Sequence, residues 1–161
     1  MENTANNNSN TNNGTKNIVI CLSADTTIFS GMPYFLDGGG FTHASLGLSE
    51  ESEYYYSFNF KGMTREYRTS LAKRPRKMVR YIVEVPSDAH AKLTEIVEDM
   101  YANREQVRYS RSKVALRLLG LKNREEKHDK YYCSEFICEA LKESGCIPIN
   151  ISTANCTPND L

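Results

Sequence analysis

Phe41-Thr-His-Ala-Ser-Leu-Gly-Leu48, a polar turn over Ser49–Glu53, and then Tyr54-Tyr-Tyr-Ser-Phe-Asn-Phe60 form the stretch that decides the fold. In the first segment Phe41, His43, Ser45 and Gly47 fall on one side, and Thr42, Ala44, Leu46 and Leu48 on the other. That is the period of two of a β-strand. The second segment is dense in aromatics, which suit a pleated, half-buried surface. Two such runs around a short polar turn predict a hairpin.

Working outward, the unbroken apolar run Asn17-Ile-Val-Ile-Cys-Leu22 suits a central strand. Met78–Val85 is a further strand, closed by Pro86. Ser87 then caps a helix in which Ala89, Leu93, Ile96, Val97, Met100 and Tyr101 recur at helical spacing through Asn103. Val114, Ala115, Leu118, Leu119 and Leu121 predict a shorter second helix, and Asn123–Lys130 a charged loop. Cys133–Ser144 is the third helix, with Phe136, Ile137, Ala140 and Leu141 as its buried stripe and Gly145 as its stop. Cys146–Leu161, with Pro148 and Pro158, reads as irregular or a short strand. Strands cluster early and helices late. The expected class is α+β, an antiparallel β-sheet packed against helices.

The chain has 161 residues, the size of one domain at roughly 100–200 residues each. Residues 1–16 read as a disordered, Asn-rich tail and 17–161 as the folded domain. Met1–Asn13 holds seven asparagines and no apolar core, so it is not a secretory signal as it stands. No apolar run approaches the ~20 residues that cross a bilayer. Twenty basic and 20 acidic residues balance to zero, which argues against a chain that coats nucleic acid or an anionic membrane. The five cysteines include no CxxC pair and only three histidines accompany them, so no metal site and no cofactor are expected. Reduced thiols in a cytoplasmic compartment are the simplest expectation, with removal of a signal before maturation as the alternative.

One thiol stands apart. Cys133 opens the third helix, just after Tyr131-Tyr132. The amides and dipole of a helix N-terminus stabilise a thiolate, and the same amides, that of Cys133 foremost, can hold an oxyanion forming beside the sulfur. Cys138 lies about 140° around that helix at ~3.6 residues per turn, so it cannot share the site. Cys21, in an apolar strand, reads as a small buried hydrophobe. A cysteine nucleophile wants an imidazole as base and a third group to orient it. His43 is the strongest choice: its strand fixes it, and Ala44, Ser45 and Gly47 leave room for another element. His90 lies in a helix first turn and His128 in a charged loop. The orienting group is expected on the strand paired with that of His43, as Ser57 or Asn59.

The segments Thr42-His-Ala-Ser-Leu-Gly-Leu48 and Tyr132-Cys-Ser-Glu-Phe-Ile137 together resemble the circularly permuted branch of the papain-like NlpC-type amidases, in which His comes first on a strand and Cys last at a helix start. Asn17–Leu22, Tyr56-Ser57-Phe58, Tyr109 and Pro158 fit the same pattern, so the resemblance covers 17–161. It implies a permuted papain-like fold and a cysteine hydrolase of amide bonds (peptide, isopeptide or lipid acyl) acting through an acyl-enzyme, with acyl transfer or thioester cleavage as variants. Cys133 would be the nucleophile, His43 the general base, and Tyr109, otherwise a core aromatic, would lie near the oxyanion. The substrates implied are peptide, peptidoglycan-type or acyl-lipid molecules, the last as in lecithin retinol acyltransferase relatives. Relatives often carry Glu, Gln or His as third residue on the strand after the catalytic His. This chain has no Glu or His there after Glu53, which leaves Ser57 and Asn59.

Tyr55, within the 54–56 run, and Tyr132, beside the thiol, are the candidate substrate-lining aromatics. Lys61–Arg80 sets eight Lys or Arg against the single acid Glu66. It reads as a solvated loop, or as a patch for an anionic partner, with nucleic acid not expected. The alternative to an enzyme is a binding module on the same fold that uses this 61–80 segment.

Overall fold

The computed structural model describes residues 14–24, 40–71, 77–110, 113, 130–150 and 152–161. Five antiparallel strands form one sheet: β1 (Thr15–Ala24), β2 (His43–Gly47), β3 (Tyr54–Asn59), β4 (Gly62–Tyr67) and β5 (Lys77–Pro86), in the order β4-β3-β2-β1-β5. The four-residue helix α1 (Arg68–Leu71) follows β4, and helix α2 (Ser87–Ala102) follows β5. Arg108–Tyr109 (β6) and Lys130–Tyr131 (β7) make a small parallel pair, and helix α3 (Cys133–Ser144) leads to a 3-10 turn at Thr153–Asn155. The architecture is mixed α and β with an antiparallel sheet, as the sequence predicts. The second helix expected at 114–121, the loop 123–130 up to Asp129, and His128 lie outside the described residues.

The apolar run of β1 has its physical reason here. β1 lies between β2 and β5 and is buried on both faces. Ile18, Ile20 and Leu22 join Ala44, Leu46, Tyr56 and Phe58 on one face, while Val19 and Cys21 join Tyr55 on the other. The first face is covered by Leu93 and Val97 of α2 and by Phe136, Ile137, Ala140 and Leu141 of α3. Full burial of each large side chain on that stripe contributes about 1.5–3 kcal/mol. α3 ends as expected, at Gly145 with φ of 77°.

Three local expectations change. β1 begins at Thr15, inside the segment assigned to the tail, because Thr15 and Lys16 pair with Pro86 and Val85. Ser87 is the first residue of α2 and not its cap: its amide and hydroxyl both donate to the Gly14 carbonyl, at 2.9 and 2.5 Å. The basic stretch 61–80 is no plain loop, for it contains β4 and the start of β5. Phe60-Lys61 turns β3 into β4, with Gly62 at φ 100°, in the left-handed region that favours glycine. Arg65 does not face water alone. Its guanidinium lies over the rings of Tyr54 and Tyr101 at 4.4 and 4.2 Å and donates to Glu98 Oε2 at 3.0 Å. Lys77 lies over the Phe41 ring at 4.5 Å. Among the described residues no helix is long and apolar enough to cross a membrane.

Gly47 carries a packing prediction. A Cβ built there would stand 2.6 Å from two carbons of the Tyr55 ring, and that ring is 0 % exposed. Gly47→Ala should therefore cost about 1–3 kcal/mol through overpacking, seen as a lower denaturation midpoint. A variant as stable as the parent would show that the ring moves freely.

Candidate active site

α3 starts where several independent contacts pin it. Tyr132, in extended conformation, precedes its first residue, Cys133. Glu135 accepts the Tyr132 amide through Oε2 at 3.4 Å and the Lys113 ammonium through Oε1 at 2.6 Å. The Tyr132 hydroxyl donates to the Ala154 carbonyl at 2.9 Å, and the Ser134 hydroxyl to the Cys156 carbonyl at 2.7 Å. Both neighbours of Cys133 are thereby tied down, and its thiol sits at the positive end of the helix dipole.

His43 opens β2, opposite Ser23 of β1. Its Nε2 lies 3.0 and 2.9 Å from Glu66 Oε1 and Oε2, and 3.2 Å from Ser57 Oγ. Ser57 donates its own proton to the Ala44 carbonyl at 2.6 Å, so towards the imidazole it can only accept. The carboxylate therefore holds the proton on Nε2, and Nδ1 is the nitrogen left to exchange a proton with Cys133. The His43 and Glu66 side chains are about a fifth exposed, 21 % and 18 %, which leaves the pair open to solvent on one side.

The electrostatics follow from these contacts. Burial works to lower the His43 pKa, yet hydrogen bonding with Cys133 and Glu66 and their negative charge hold it well above its ordinary 6.5. Burial works to raise the Cys133 thiol. The His43 hydrogen bond and charge, with the backbone of Ala44 and Ser134, outweigh it and bring the thiol below its ordinary value. The two shifts point the same way, to a thiolate–imidazolium pair. Burial pushes Cys21 and Cys146 up. Cys138 is lowered by a hydrogen bond from Cys156, which is itself raised, but Cys138 is almost fully buried inside α3.

The structure thus places Ser57 and Glu66 at hydrogen-bond distance from the His43 ring, whose charge acts on the Cys133 thiol, and so adds a residue that sequence reasoning missed. Asn59 turns away: its Nδ2 donates to Thr64 Oγ1 at 3.1 Å and its Oδ1 accepts the Lys61 amide at 2.9 Å, closing the β3–β4 turn. The carboxylate at the imidazole comes instead from β4, one strand further out. The signal was present, since Glu66 is the single acid of the basic stretch. The assumption that the stretch was a loop hid it.

One expected substrate-lining residue is corrected. Tyr55 is fully buried on the second face of the sheet, beside Val19 and Cys21, with Leu71 and Met78 packed over it. Tyr132 stays beside the thiol, as buried as Cys133 itself, with its hydroxyl on Ala154. Tyr109 pairs through its backbone with Tyr131, and its side chain lies outside the described structure. His90 is held by the Leu48 carbonyl at 2.7 Å. Compared with known proteins, the chain matches no family and no curated relative.

Proposed function

We propose that this protein is a cysteine hydrolase of amide bonds, built on the circularly permuted papain-like arrangement that the order His43-then-Cys133 suggests. The observation that carries this reading is the position of His43, whose ring interacts with the Cys133 thiol and holds Glu66 at 2.9 Å. A nucleophile at a helix start, an imidazole, and a carboxylate that orients it are the parts that covalent acyl chemistry requires.

The reaction runs in two halves. The Cys133 thiolate adds to the substrate carbonyl, and the developing oxyanion meets the Cys133 amide at the start of α3. The imidazolium gives its proton to the leaving amine, the C–N bond breaks, and a thioester remains on Cys133. Neutral His43 then takes a proton from water, whose oxygen attacks the thioester. The acid leaves and the thiolate–imidazolium pair is restored. Water is consumed and one amide becomes one acid and one amine.

Alkylation tests the reading directly. At mildly acidic pH, below the ordinary thiol pKa of ~8.5, iodoacetamide should label Cys133 ahead of Cys21, Cys138, Cys146 and Cys156, as read by mass spectrometry. Equal labelling of all five would overturn it.

Glu66 makes a second, signed prediction. Its hydrogen bond and charge raise the His43 pKa, so Glu66→Gln lowers it. The imidazolium is then lost at lower pH, and the alkaline limb of the pH–rate profile moves towards acid. Glu66 is not among the causes that set the Cys133 thiol, so the acid limb stays in place. The profile of acylation by an electrophilic ester should narrow from its alkaline side, and an unmoved alkaline limb would remove Glu66 from the site.

A further inference from the structure

The C-terminal segment touches both halves of the candidate site. Upstream, its carbonyls at Ala154 and Cys156 receive the hydroxyls of Tyr132 and Ser134, the residues that flank Cys133. Downstream, the Asn159 side-chain oxygen accepts the amide of Phe41 at 2.8 Å, two positions before His43. The chain between is itself fixed. Asp160 accepts the Thr157 amide and hydroxyl at 2.7 and 2.6 Å, and its own amide donates back to the Thr157 carbonyl at 3.0 Å. That turn presents Asn159 to the strand. The approach is close: a Cβ built on Gly40 would run into the Asn159 carboxamide, so a side chain there would displace it.

We propose that Asn159 is a positioning residue for the Cys133–His43 pair, the far end of a clamp that ties the strand of the imidazole to the segment already holding the helix of the thiol. This rests on the hydrolase reading above. The physical ground is that Cys133 and His43 belong to elements far apart in sequence, which meet through the packing of α3 on β2 and, next to the reacting groups, through this segment. Segment 152–161 spans from one to the other. Loss of the Phe41 anchor frees the chain entering β2 just before the base. Misplacement of a reacting group by ~1 Å can cost on the order of 10²-fold.

The test uses the full chain and iodoacetamide, with Cys133 alkylation followed by mass spectrometry across a pH series. Asn159→Ala should slow Cys133 alkylation at mildly acidic pH about tenfold or more, and move its midpoint to higher pH. Asn159 is exposed, so its truncation leaves no cavity, and thermal unfolding should change little. Gly40→Ala, which displaces the carboxamide from the opposite side, should reproduce the shift. Asn159→Asp keeps the acceptor oxygen and should keep most of the parent rate. Parent-like alkylation in Asn159→Ala overturns the clamp while leaving the hydrolase reading intact. An equal loss in Asn159→Asp also overturns it, because the hydrogen bond would then not be the cause. Absence of selective Cys133 alkylation in the parent protein overturns the hydrolase reading, and the clamp with it.

Discussion

His43→Ala is expected to abolish the selective reactivity of Cys133. In the intact protein, burial opposes the thiolate, and the hydrogen bond and charge of His43 are the leading causes that overcome it. With the imidazole gone, burial dominates and the thiol returns to or above the ordinary range. A thiol two units below its pKa of ~8.5 or higher is about 1 % thiolate, so labelling at mildly acidic pH should fall by about two orders of magnitude. Turnover of an acyl substrate should lose more, because in the proposed reaction the same ring donates and removes protons in both halves, help worth roughly 10²–10⁴-fold. Alkylation kinetics on Cys133 in parent and variant read the first effect, and ester acylation the second. Equal rates in parent and variant would show that His43 does not activate the thiol. Raising the pH should restore alkylation in the variant but not turnover, since thiolate returns while the proton donor does not.

Lys113→Met should produce the largest loss of stability. Glu135 is 0 % exposed, and the Lys113 ammonium 2.6 Å away is its ionic partner. Burial raises the Glu135 pKa and Lys113 offsets part of that rise. Breaking such a pair by removing one partner typically costs about 3–5 kcal/mol, a large share of the ~5–15 kcal/mol that holds a domain together. The sign of the pH dependence follows. The carboxyl left alone has a folded-state pKa above its unfolded value, so the folded state binds the proton more readily. The deficit should therefore shrink as pH falls towards the unfolded carboxyl pKa of ~4.3 and grow as pH rises above it. Denaturant midpoints at two pH values measure this, and a variant as stable as the parent at neutral pH would refute it. The double variant Lys113→Met with Glu135→Leu should recover much of the loss, because matched apolar replacement of a buried pair is often near neutral. The same pair fixes the start of α3 through the Tyr132 amide, so the single variant should also lower Cys133 reactivity.

Much of the architecture was legible because it rests on local periods. The alternation from Phe41 to Leu48 and the aromatics from Tyr54 to Asn59 appear as β2 and β3, and the doubly buried run 17–22 as part of β1. Cys133–Ser144 is a helix with the predicted bounds, since its stripe and its terminal glycine are both written in the chain. β4 was not legible. Arg65 and Glu66 look like solvent-facing charges until the tyrosines, Glu98 and His43 that absorb them are in place. Ser87 has the side chain of a cap but spends it on Gly14, brought to it by the β1–β5 register.

The sequence by itself determined which segments can be strands or helices, and that Cys133 stands at a helix start and His43 on a strand. These are properties of neighbours along the chain: side-chain period, turn chemistry and helix polarity. Only the tertiary structure decided that a carboxylate, Glu66, stands at His43 while Asn59 closes the β3–β4 turn, that Tyr55 packs on the second face of the sheet, and that the C-terminal segment hydrogen-bonds both to the residues flanking Cys133 and to Phe41. Each of those depends on hairpin register and on contacts between residues far apart in sequence, where the cost of burying charge selects the partner.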